Sequence, residues 1–412
     1  NPKPLAKTNK LKVFNDPIYG FIGTPNELIF KLTAHPYFQR LRRISQMGMS
    51  YLVYPGAHHT RFHHALGSMH LMTKAIQTLR WKNIEISEEE ETGLLCAILL
   101  HDIGHGPFSH ALEGFVVPGF HHEQLSLEFM TVLNKEFEGQ LGTGISIFKG
   151  EYPKPFLNQL VSSQLDMDRL DYLKRDSFYS GVTEGNINSE RLISMLNVVD
   201  GHLVVEEKGI YAVEKFLMAR RFMYWQVYLH KTGLCAEQML IRIMQRARTL
   251  VNEGSALKGS EAFLFFLKGI SGTSISASTL DKFAQLDDVD VLSAIKSWQH
   301  HSDVVLSKLC QMVLNRNLLH VKIKNRPIAP EKLEDKLEQV QNDWGLSVAD
   351  ASCFVFTGEI SNKAYSGNHQ AISILKKNGK VTDVLRESDQ LSLKALSKTV
   401  TKYYCCYPKQ AV

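Results

Sequence analysis

Residues 93–110 read GLLCAILLHDIGHGPFSH, an apolar run followed by three histidines and an aspartate. The run predicts a buried helix that ends at His101 and Asp102, with His105 one turn later and His110 beyond a Gly-Pro pair. Burying such groups is costly unless they are paired, hydrogen-bonded or bound to a metal. We therefore expect other segments of the chain to supply their partner.

Three further segments carry side chains that bind metals. They are RFHHALGSMH with His63, His64 and His70, FHHEQ with His121, His122 and Glu123, and SSQLDMDRLDYLKRD with Asp166, Asp168, Asp171 and Asp176. An isolated histidine is more often a surface or hydrogen-bonded residue, and Asp171 and Asp176 also fit helix caps or salt bridges. The four segments together nevertheless predict one bound divalent metal. Mixed imidazole and carboxylate ligands favour Mn, Fe, Zn, Co or Ni over Mg or Ca.

The composition narrows the class of protein. Of 412 residues, 44% are apolar and 22% charged, and the formal net charge is +5, which is ordinary for a globular protein. This charge is too small for a dedicated nucleic-acid binder but suits an anionic small substrate if basic residues converge on one cleft. Scattered cysteines without a C-x-x-C pair, a polar start and no membrane-length apolar run predict a cytoplasmic protein with no membrane partner.

The pattern along the chain predicts a mainly α fold with small β-hairpins and a C-terminal mixed α+β lobe. We expect a strand pair within LKVFNDPIYGFI (11–22) and a hairpin at 202–214, HLVVEEKGIYAVE. The Gly/Ser/Thr-rich stretch 269–279 predicts a linker. The predicted domains are therefore 1–268, which carries the chemistry, and 269–412, with β-like runs such as HVKIK and VTKYYCCY, for oligomerisation or regulation.

The ordered motifs RFHHALG, LLHDIGHGPFSH and LDMDRLDYLKRD resemble those of the HD-domain phosphohydrolase superfamily. Within it, the chain resembles the deoxynucleoside triphosphate (dNTP) triphosphohydrolases, including bacterial members and the sterile-alpha-motif and HD-domain enzymes. The resemblance runs from KVFNDPIYG through FQRLRRISQMG and VYPGAHHTRFHHALG to YLHKTG, and YYCCYPK resembles the final strand of the family. It implies an HD-domain helical core.

The resemblance also implies a site and a reaction. The metal ligands would be His64, His101, Asp102 and Asp168. Metal-activated water would attack the α-phosphorus of a dNTP, giving a deoxynucleoside and inorganic triphosphate, with Mg accompanying the substrate phosphates. His122 would act as general acid with Glu123 as its orienting carboxylate, and His105 and His110 would line the same wall.

Substrate and regulatory residues follow from the same resemblance. Arg61, Arg169 and Arg220 would bind phosphates, and Gln46, Tyr172, Asp176 and Tyr228 would surround the deoxyribose. Leu229 stands where some relatives have Gln near the base, which leaves base preference open. Lys12, Val13 and Arg42 match a site for an activating nucleotide, although Ala34 replaces the Asp that reads guanine there. Family members are commonly oligomeric, so we expect a homodimer or homotetramer.

Two competing interpretations stay open at this stage. One is another HD-type phosphohydrolase or phosphodiesterase, acting on nucleoside monophosphates, cyclic nucleotides or alarmones. The other is a nucleic-acid-binding regulatory protein with a vestigial site, for which HVKIKNR would offer weak contact with single-stranded nucleic acid. The intact ligand set and the segments beyond the HD motif favour the dNTP interpretation.

Overall fold

A computed structural model describes residues 12–270, 275–363, 365, 371–389 and 397–409. Within these residues the chain is mainly helical and carries three small sheets. The C-terminal part mixes helices with strands. The predicted fold class is therefore confirmed.

The helices form most of the fold. From the N-terminus to residue 252 they are α1 Glu27–Ala34, α2 Pro36–Gln39, α3 Arg61–Trp81, α4 Glu88–Leu100, α5 Ser109–Leu112, α6 His122–Glu136, α7 Gly142–Phe148, α8 Pro155–Val161, α9 Met167–Ser180, α10 Ser189–Ser194, α11 Ile210–Met223 and α12 Lys231–Asn252. Those that follow are α13 Glu261–Leu267, α14 Ala277–Phe283, α15 Asp288–Trp298, α16 Val304–Leu314, α17 Pro330–Trp344, α18 Val348–Ala351 and α19 Val384–Glu387. Short 3₁₀ turns span Arg40–Arg43, Gly48–Leu52, Thr183–Gly185 and Glu207–Gly209, and a π-helical turn spans Tyr224–Tyr228.

The strands lie in three sheets. They are β1 Val13–Asp16, β2 Gly20–Gly23, β3 Leu196–Val199, β4 His202–Glu206, β5 His320–Lys324, β6 Phe356–Asn362, β7 Ser373–Leu375, β8 Val381–Asp383 and β9 Val400–Tyr407. β1 and β2 form the expected N-terminal pair, with Val13 opposite Gly23. The second sheet has the order β3-β4-β7-β8, and the third is antiparallel with the order β5-β9-β6.

The helix α4 contains the apolar run GLLCAILL, residues 93–100. Ser87 caps it by accepting a hydrogen bond from the Glu90 N–H, and Glu90 bonds the Ser87 N–H in return. Glutamates fill its first turn, where the helix dipole favours negative charge. Its apolar run from Gly93 to Leu100 is buried. The helix therefore ends inside the protein and delivers His101 and Asp102 to a buried position.

Two glycines permit the close packing on which the site depends. A Cβ at Gly67, in α3, would overlap the Asp171 carboxylate and the Arg175 guanidinium of α9. A Cβ at Gly104 would overlap the backbone of α6 at His122 and Ser126. Any side chain at either position would push apart elements that carry proposed site residues.

The hairpin predicted at 202–214 is wrong in its bounds. The strand His202–Glu206 is present, but it pairs antiparallel with the preceding strand Leu196–Val199 across Asp200 and Gly201, which have φ of 51° and 75°. An Asp-Gly pair is a strong signal for this kind of two-residue turn. The run from Ile210 forms α11 instead, because its buried side chains, Val213, Phe216, Leu217 and Arg220, recur at helical spacing.

One hydrophobic core contains residues from both sides of the predicted domain boundary. Residues 271–274 of the linker lie outside the described residues, and α14 already begins at Ala277. Buried apolar side chains from Ile22 to Cys406 form one cluster, and β7 pairs in parallel with β4 of the N-terminal part. The division at 268/269 and the role of the C-terminal part in oligomerisation or regulation stay predictions. Among the described residues, no helix has the length and apolarity needed to cross a bilayer.

Candidate active site

Ligand atoms from three helices converge at the end of α4. His64 comes from α3, His101 directly follows α4, and Asp168 lies in the first turn of α9. The His64 Nε2 lies 3.3 Å from the His101 Nε2 and 3.0 Å from the Asp168 Oδ1, and the His101 Nε2 lies 3.5 Å from the same oxygen. Two ligands each ~2.1 Å from a shared metal lie ~3.0 Å apart at a right angle and ~3.4 Å apart at the tetrahedral angle. The spacing therefore fits a shared metal ion.

The hydrogen bonds on the far side of each imidazole fix which nitrogen faces this centre. The His64 Nδ1–H donates to the Asp171 Oδ2 at 2.8 Å, and the His101 Nδ1–H donates to the Ile98 carbonyl oxygen at 2.6 Å. Both Nε2 lone pairs then point at one another and at a carboxylate oxygen. Such a convergence of acceptors is repulsive unless a cation lies among them, so the donor set fits a divalent metal.

The field at this centre favours positive charge. Burial lowers the pKa of His64, but Asp168 and Asp171 outweigh it and raise the pKa to about 10. Burial likewise opposes protonation of His101, yet Asp102 and Asp168 raise its pKa. The pKa of Asp168 is low despite burial, because His101 and His64 both stabilise its ionised form. A metal cation would experience the same attraction.

Asp102 lies beside the three converging ligands and also faces the histidines on the cavity wall. Its Oδ1 is 3.4 Å from the His101 Nε2, and its Oδ2 is 3.7 Å from the His64 Nε2. The Arg61 guanidinium pairs with the same carboxylate and donates through Nε to Ser109 at 2.8 Å. Burial would raise the pKa of Asp102, but His101 and Arg61 hold it well below its usual range. Asp102 is therefore ionised and available to a metal.

A chain of buried ion pairs supports His64 from behind. Asp171 accepts two hydrogen bonds from Arg175, at 2.8 and 2.9 Å, and Arg175 donates a third to Asp16 at 2.7 Å. Asp16 in turn accepts from the backbone N–H groups of Ile18 and Tyr19 in the N-terminal strand pair. Burial would raise the pKa of Asp171, but Arg175 and His64 lower it to about 2. Asp171 thus supports a ligand of this centre, while Asp166 caps α9 by accepting the Arg169 N–H.

Three histidines form a second cluster beside Asp102. The rings of His105 and His122 stack with centroids 3.9 Å apart, and the His105 ring lies edge-on to that of His110 at 5.3 Å. The His105 Nε2 lies 3.3 Å from the Asp102 Oδ1. Burial and the neighbouring Arg61 hold the pKa of His105 well below its usual range and lower that of His110 to about 4.

His122 has a carboxylate partner that the sequence did not indicate. The Glu113 Oε1 accepts from both the backbone N–H and the Nδ1–H of His122, each at 2.7 Å. Burial would raise the pKa of Glu113, but these bonds lower it. Glu123, the carboxylate expected in this role, is exposed, so the expectation for Glu123 is replaced by Glu113.

A cavity of about 540 Å³ joins these groups to a polar wall. Its lining comprises Gln46, Met47, Gly48, Ser50, Arg61, Asp102, His105, Phe108, Ser109, His110, His122, Asp168, Arg169, Tyr172, Asp176, Tyr224, Tyr228, Leu229 and Glu237. On that wall the Asp176 carboxylate accepts from the Tyr228 hydroxyl at 2.8 Å and lies 2.7 Å from the Nε2 of buried His59. The Gln46 Oε1 is buried and has no hydrogen-bond partner among the residues that the structure describes. Except for Arg220 and Glu123, all predicted catalytic and substrate-binding residues line this cavity.

The predicted arginines and regulatory residues differ in their access to this cavity. Arg169 reaches the cavity, but its Nε bonds the Ser163 carbonyl oxygen at 2.6 Å. Arg220 is buried and bonds Gln164 at 3.0 Å, while no described residue hydrogen-bonds its Nε. Of the predicted regulatory residues, Lys12 lies over the Phe14 ring, Val13 is exposed on β1, and Arg42 stacks on Phe62 at 3.6 Å.

Four residues of this region were missing from the sequence argument: Glu113, His59, Tyr224 and Glu237. His59 lies in the quoted motif VYPGAHHTRFHHALG, so its position beside three other histidines was a signal. Glu113 follows His110 by three residues, the spacing of neighbours on a helix. Tyr224 and Glu237 carried no signal beyond residue type.

Comparison with known proteins assigns this buried His/Asp centre and its helical core to a family. Residues 61–149 match the HD domain and residues 187–257 match the HD associated region. The protein is 32% identical to the uncharacterized protein YwfO of Bacillus subtilis (strain 168), across 99% of this chain and 95% of that protein. It belongs to the HD-domain phosphohydrolase family.

Two further relatives bear on the fold and on the substrate. The crystal structure of a phosphohydrolase (BT4208) from Bacteroides thetaiotaomicron VPI-5482 is 49% identical, with a TM-score of 0.94, covering 97% of this chain and 100% of that chain. The deoxynucleoside triphosphate triphosphohydrolase SAMHD1 homolog of Dictyostelium discoideum is 31% identical over 64% of this chain and 55% of that protein. The protein is thus a metal-dependent HD-domain phosphohydrolase with distant similarity to dNTP triphosphohydrolases.

Proposed function

We propose that the protein hydrolyses dNTPs to a deoxynucleoside and inorganic triphosphate. The observation that carries the proposal is the cavity that joins the His/Asp centre to the wall of Gln46, Tyr172, Asp176 and Tyr228. A reaction at the α-phosphorus needs a phosphate end and a sugar end within one nucleotide's length. The 31% identity to the Dictyostelium triphosphohydrolase supports the same substrate class.

His64, His101, Asp102 and Asp168 would hold the metal. When bound, a divalent metal supplies Lewis acidity toward phosphoryl oxygens and lowers the pKa of water. Arg61 and Arg169, both on the cavity wall, supply positive charge for the phosphates. Arg220 is buried, and its Nε has no hydrogen-bond partner among the described residues; it contributes positive potential from outside the cavity. The four ligands suit Mn, Fe, Zn, Co or Ni as the resident metal, and Mg would accompany the phosphates of the substrate.

His122 delivers the proton. Water adds to the α-phosphorus and releases one proton to solvent, and the bond from phosphorus to the 5′ oxygen breaks. That oxygen takes a proton from the His122 imidazolium, which solvent then protonates again. Glu113 holds the Nδ1–H of His122 at 2.7 Å, which leaves Nε2 to serve the leaving oxygen and stabilises the protonated ring. His105 and His110 form the adjoining wall and orient the substrate phosphate.

The sugar end selects against ribose. Asp176 fixes the Tyr228 hydroxyl at 2.8 Å, so the Tyr228 ring is held against the cavity. Tyr172 packs edge-on to that ring with centroids 6.1 Å apart. A ribose 2′-hydroxyl would meet these rings without a partner, and an unpaired buried polar group discriminates strongly between substrates. The Gln46 Oε1, which no described residue hydrogen-bonds, is available to a sugar hydroxyl.

The test is incubation with Mn²⁺ and each dNTP, singly and in mixtures, beside the matching NTPs. Products are separated by anion-exchange chromatography. We expect triphosphate and deoxynucleoside, with NTPs turned over far more slowly. Release of pyrophosphate or orthophosphate, or equal rates on ATP and dATP, would favour an HD phosphohydrolase acting on another nucleotide. Salt-dependent binding of single-stranded DNA with no turnover would favour the regulatory alternative.

The mixtures also test the proposed regulation. If Lys12, Val13 and Arg42 bind an activating nucleotide, one dNTP will accelerate hydrolysis of another at concentrations that do not compete for the cavity. Measurement of mass by light scattering, with and without nucleotides, tests the proposed homodimer or homotetramer. An unchanged monomer would contradict it.

A further inference from the structure

Glu237 places a carboxylate in the wall of a cavity proposed to take a polyanion. It lies on α12, lines the cavity and is partly buried. Among the described residues, no group hydrogen-bonds its carboxylate or pairs with it as an ion. Buried carboxylates are normally paired, so an unpaired one facing a cavity indicates a ligand that supplies the missing donors.

The charge of Glu237 argues against a place beside the substrate phosphates. Burial raises the pKa of Glu237 to about 7, and no charged side chain of the described chain contributes to that shift. Among the described residues, no arginine forms an ion pair with the Glu237 carboxylate. A negative charge beside the triphosphate would be repelled, so Glu237 faces a different part of the substrate.

Glu237 lies close to Gly48, which is near Gln46 in the sequence. The Glu237 Oε1 lies 3.4 Å from the position of a Cβ on Gly48, and Gly48 is two residues beyond Gln46. Two residues span at most ~7 Å, which is comparable to the distance from a deoxyribose to the far edge of its base. Met47 and Leu229 also line the cavity and offer apolar surfaces for a planar ring.

We propose that Glu237 recognises the nucleotide base, and that it selects guanine. An ionised carboxylate only accepts hydrogen bonds, through two adjacent oxygens. Guanine presents two adjacent donors on its outer edge, the N1–H and the N2 amino group. Adenine and cytosine present one donor beside a ring acceptor, and thymine presents one donor between two carbonyl oxygens. Two donors from guanine would also stabilise the ionised form of Glu237.

This inference rests on the proposed function only in assuming that the cavity binds a nucleotide. The experiment therefore has a turnover arm and a binding arm. In the first, wild-type protein and the Glu237→Gln variant hydrolyse an equimolar mixture of the four dNTPs, so that any activating nucleotide is always present. In the second, equilibrium dialysis measures the binding of each dNTP without turnover, in Ca²⁺.

Glutamine has the size of glutamate, but its amide carries one acceptor beside one donor. This pattern is complementary to the donor beside a ring acceptor in adenine and cytosine. We expect wild-type protein to prefer dGTP, and Glu237→Gln to lose that preference by ~10- to 100-fold relative to dATP and dCTP. Glu253→Gln, which changes an exposed glutamate at the end of the same helix, should leave the preference unchanged. Thermal melting and circular dichroism check that each variant is folded.

The outcomes separate the two proposals. If dNTPs are hydrolysed but the order of preference is the same in wild type and Glu237→Gln, base recognition by Glu237 is overturned and the hydrolase stands. If no dNTP is hydrolysed but dGTP binds selectively through Glu237, base recognition stands and the hydrolase does not. If wild-type protein binds none of the four, both are overturned.

Discussion

The Nδ1 of His122 and the Oε1 of Glu113 are 2.7 Å apart, and the same oxygen accepts the backbone N–H of His122. Glu113 thereby fixes both the ring orientation and the protonated nitrogen of His122. The imidazole also stacks on His105 at 3.9 Å. This arrangement makes the proton-delivery step testable residue by residue.

We expect His122→Ala to bind dNTP and metal but to lose turnover by ~10²- to 10⁴-fold, the usual value of a positioned general acid. His121 is the matched control, because it precedes α6 and is exposed. His121→Ala should keep most of the wild-type kcat. Metal content is measured in both variants. A more severe loss in His121→Ala would contradict the assignment, and an unaffected His122→Ala would move proton delivery to His105 or His110.

Glu113→Gln should lower kcat about tenfold while leaving KM nearly unchanged, because it removes the carboxylate that stabilises imidazolium but no substrate contact. Glu123→Gln, which changes the exposed carboxylate next to His122, is the control. Steady-state kinetics on the best dNTP decide between them. If Glu123→Gln is the one that loses kcat, the partner seen in the structure is not the functional one.

Loss of a ligand and loss of its support should differ in degree. Asp102→Ala should abolish tight metal binding, whereas Asp171→Asn, which weakens the hydrogen bond to His64, should lower metal affinity ~10- to 100-fold. Asp200→Asn, in the exposed β3-β4 turn, controls for a changed charge. Elemental analysis after dialysis against graded chelator gives the affinities. Equal metal content in wild type and Asp102→Ala would contradict the ligand assignment.

Removal of the metal should lower stability as well as activity. Without a cation, the Nε2 atoms of His64 and His101 lie 3.3 Å apart in a buried site, so metal binding stabilises the folded state. Saturation at a thousand times the dissociation constant is worth ~4 kcal/mol. Chelation should therefore lower Tm, and Mn²⁺ should restore it. If chelator leaves the Tm of metal-loaded wild-type protein unchanged, this centre holds no resident metal.

Glu90 makes a pH-dependent contribution to stability. Burial would raise its pKa, but bonds from the Ser87 N–H, Lys154 and Tyr152 lower it below its usual value. A lowered pKa stabilises the fold above the ordinary glutamate range, and this contribution is lost as the pH falls through the folded-state pKa. Glu90→Gln should thus cost about 1 kcal/mol at pH 7 and less near pH 4. The free energy of unfolding is measured with urea at both pH values. The control variant Glu88→Gln, which changes an exposed neighbour, should differ little from wild type at either pH.

The sequence by itself determined the helical fold class, the N-terminal strand pair and the segments that carry the metal centre. These are local properties: an apolar run predicts α4, and the ordered motifs contain His64, His101, Asp102 and Asp168. The wrong bounds of the hairpin at 202–214 also concern local sequence. The Asp200-Gly201 pair signals a turn before residue 202, but the alternating pattern around EKG suggested a turn after it.

Only the tertiary structure decided which groups act on one another. Glu123 is next to His122 in sequence, but adjacent helical residues diverge by ~100°, so Glu123 is exposed and Glu113 reaches the ring from the preceding loop. Asp171 contacts His64 across a helix interface that Gly67 keeps close. Glu237 meets Gly48 although 189 residues separate them. Such contacts depend on how helices pack, and no spacing along the chain encodes that distance.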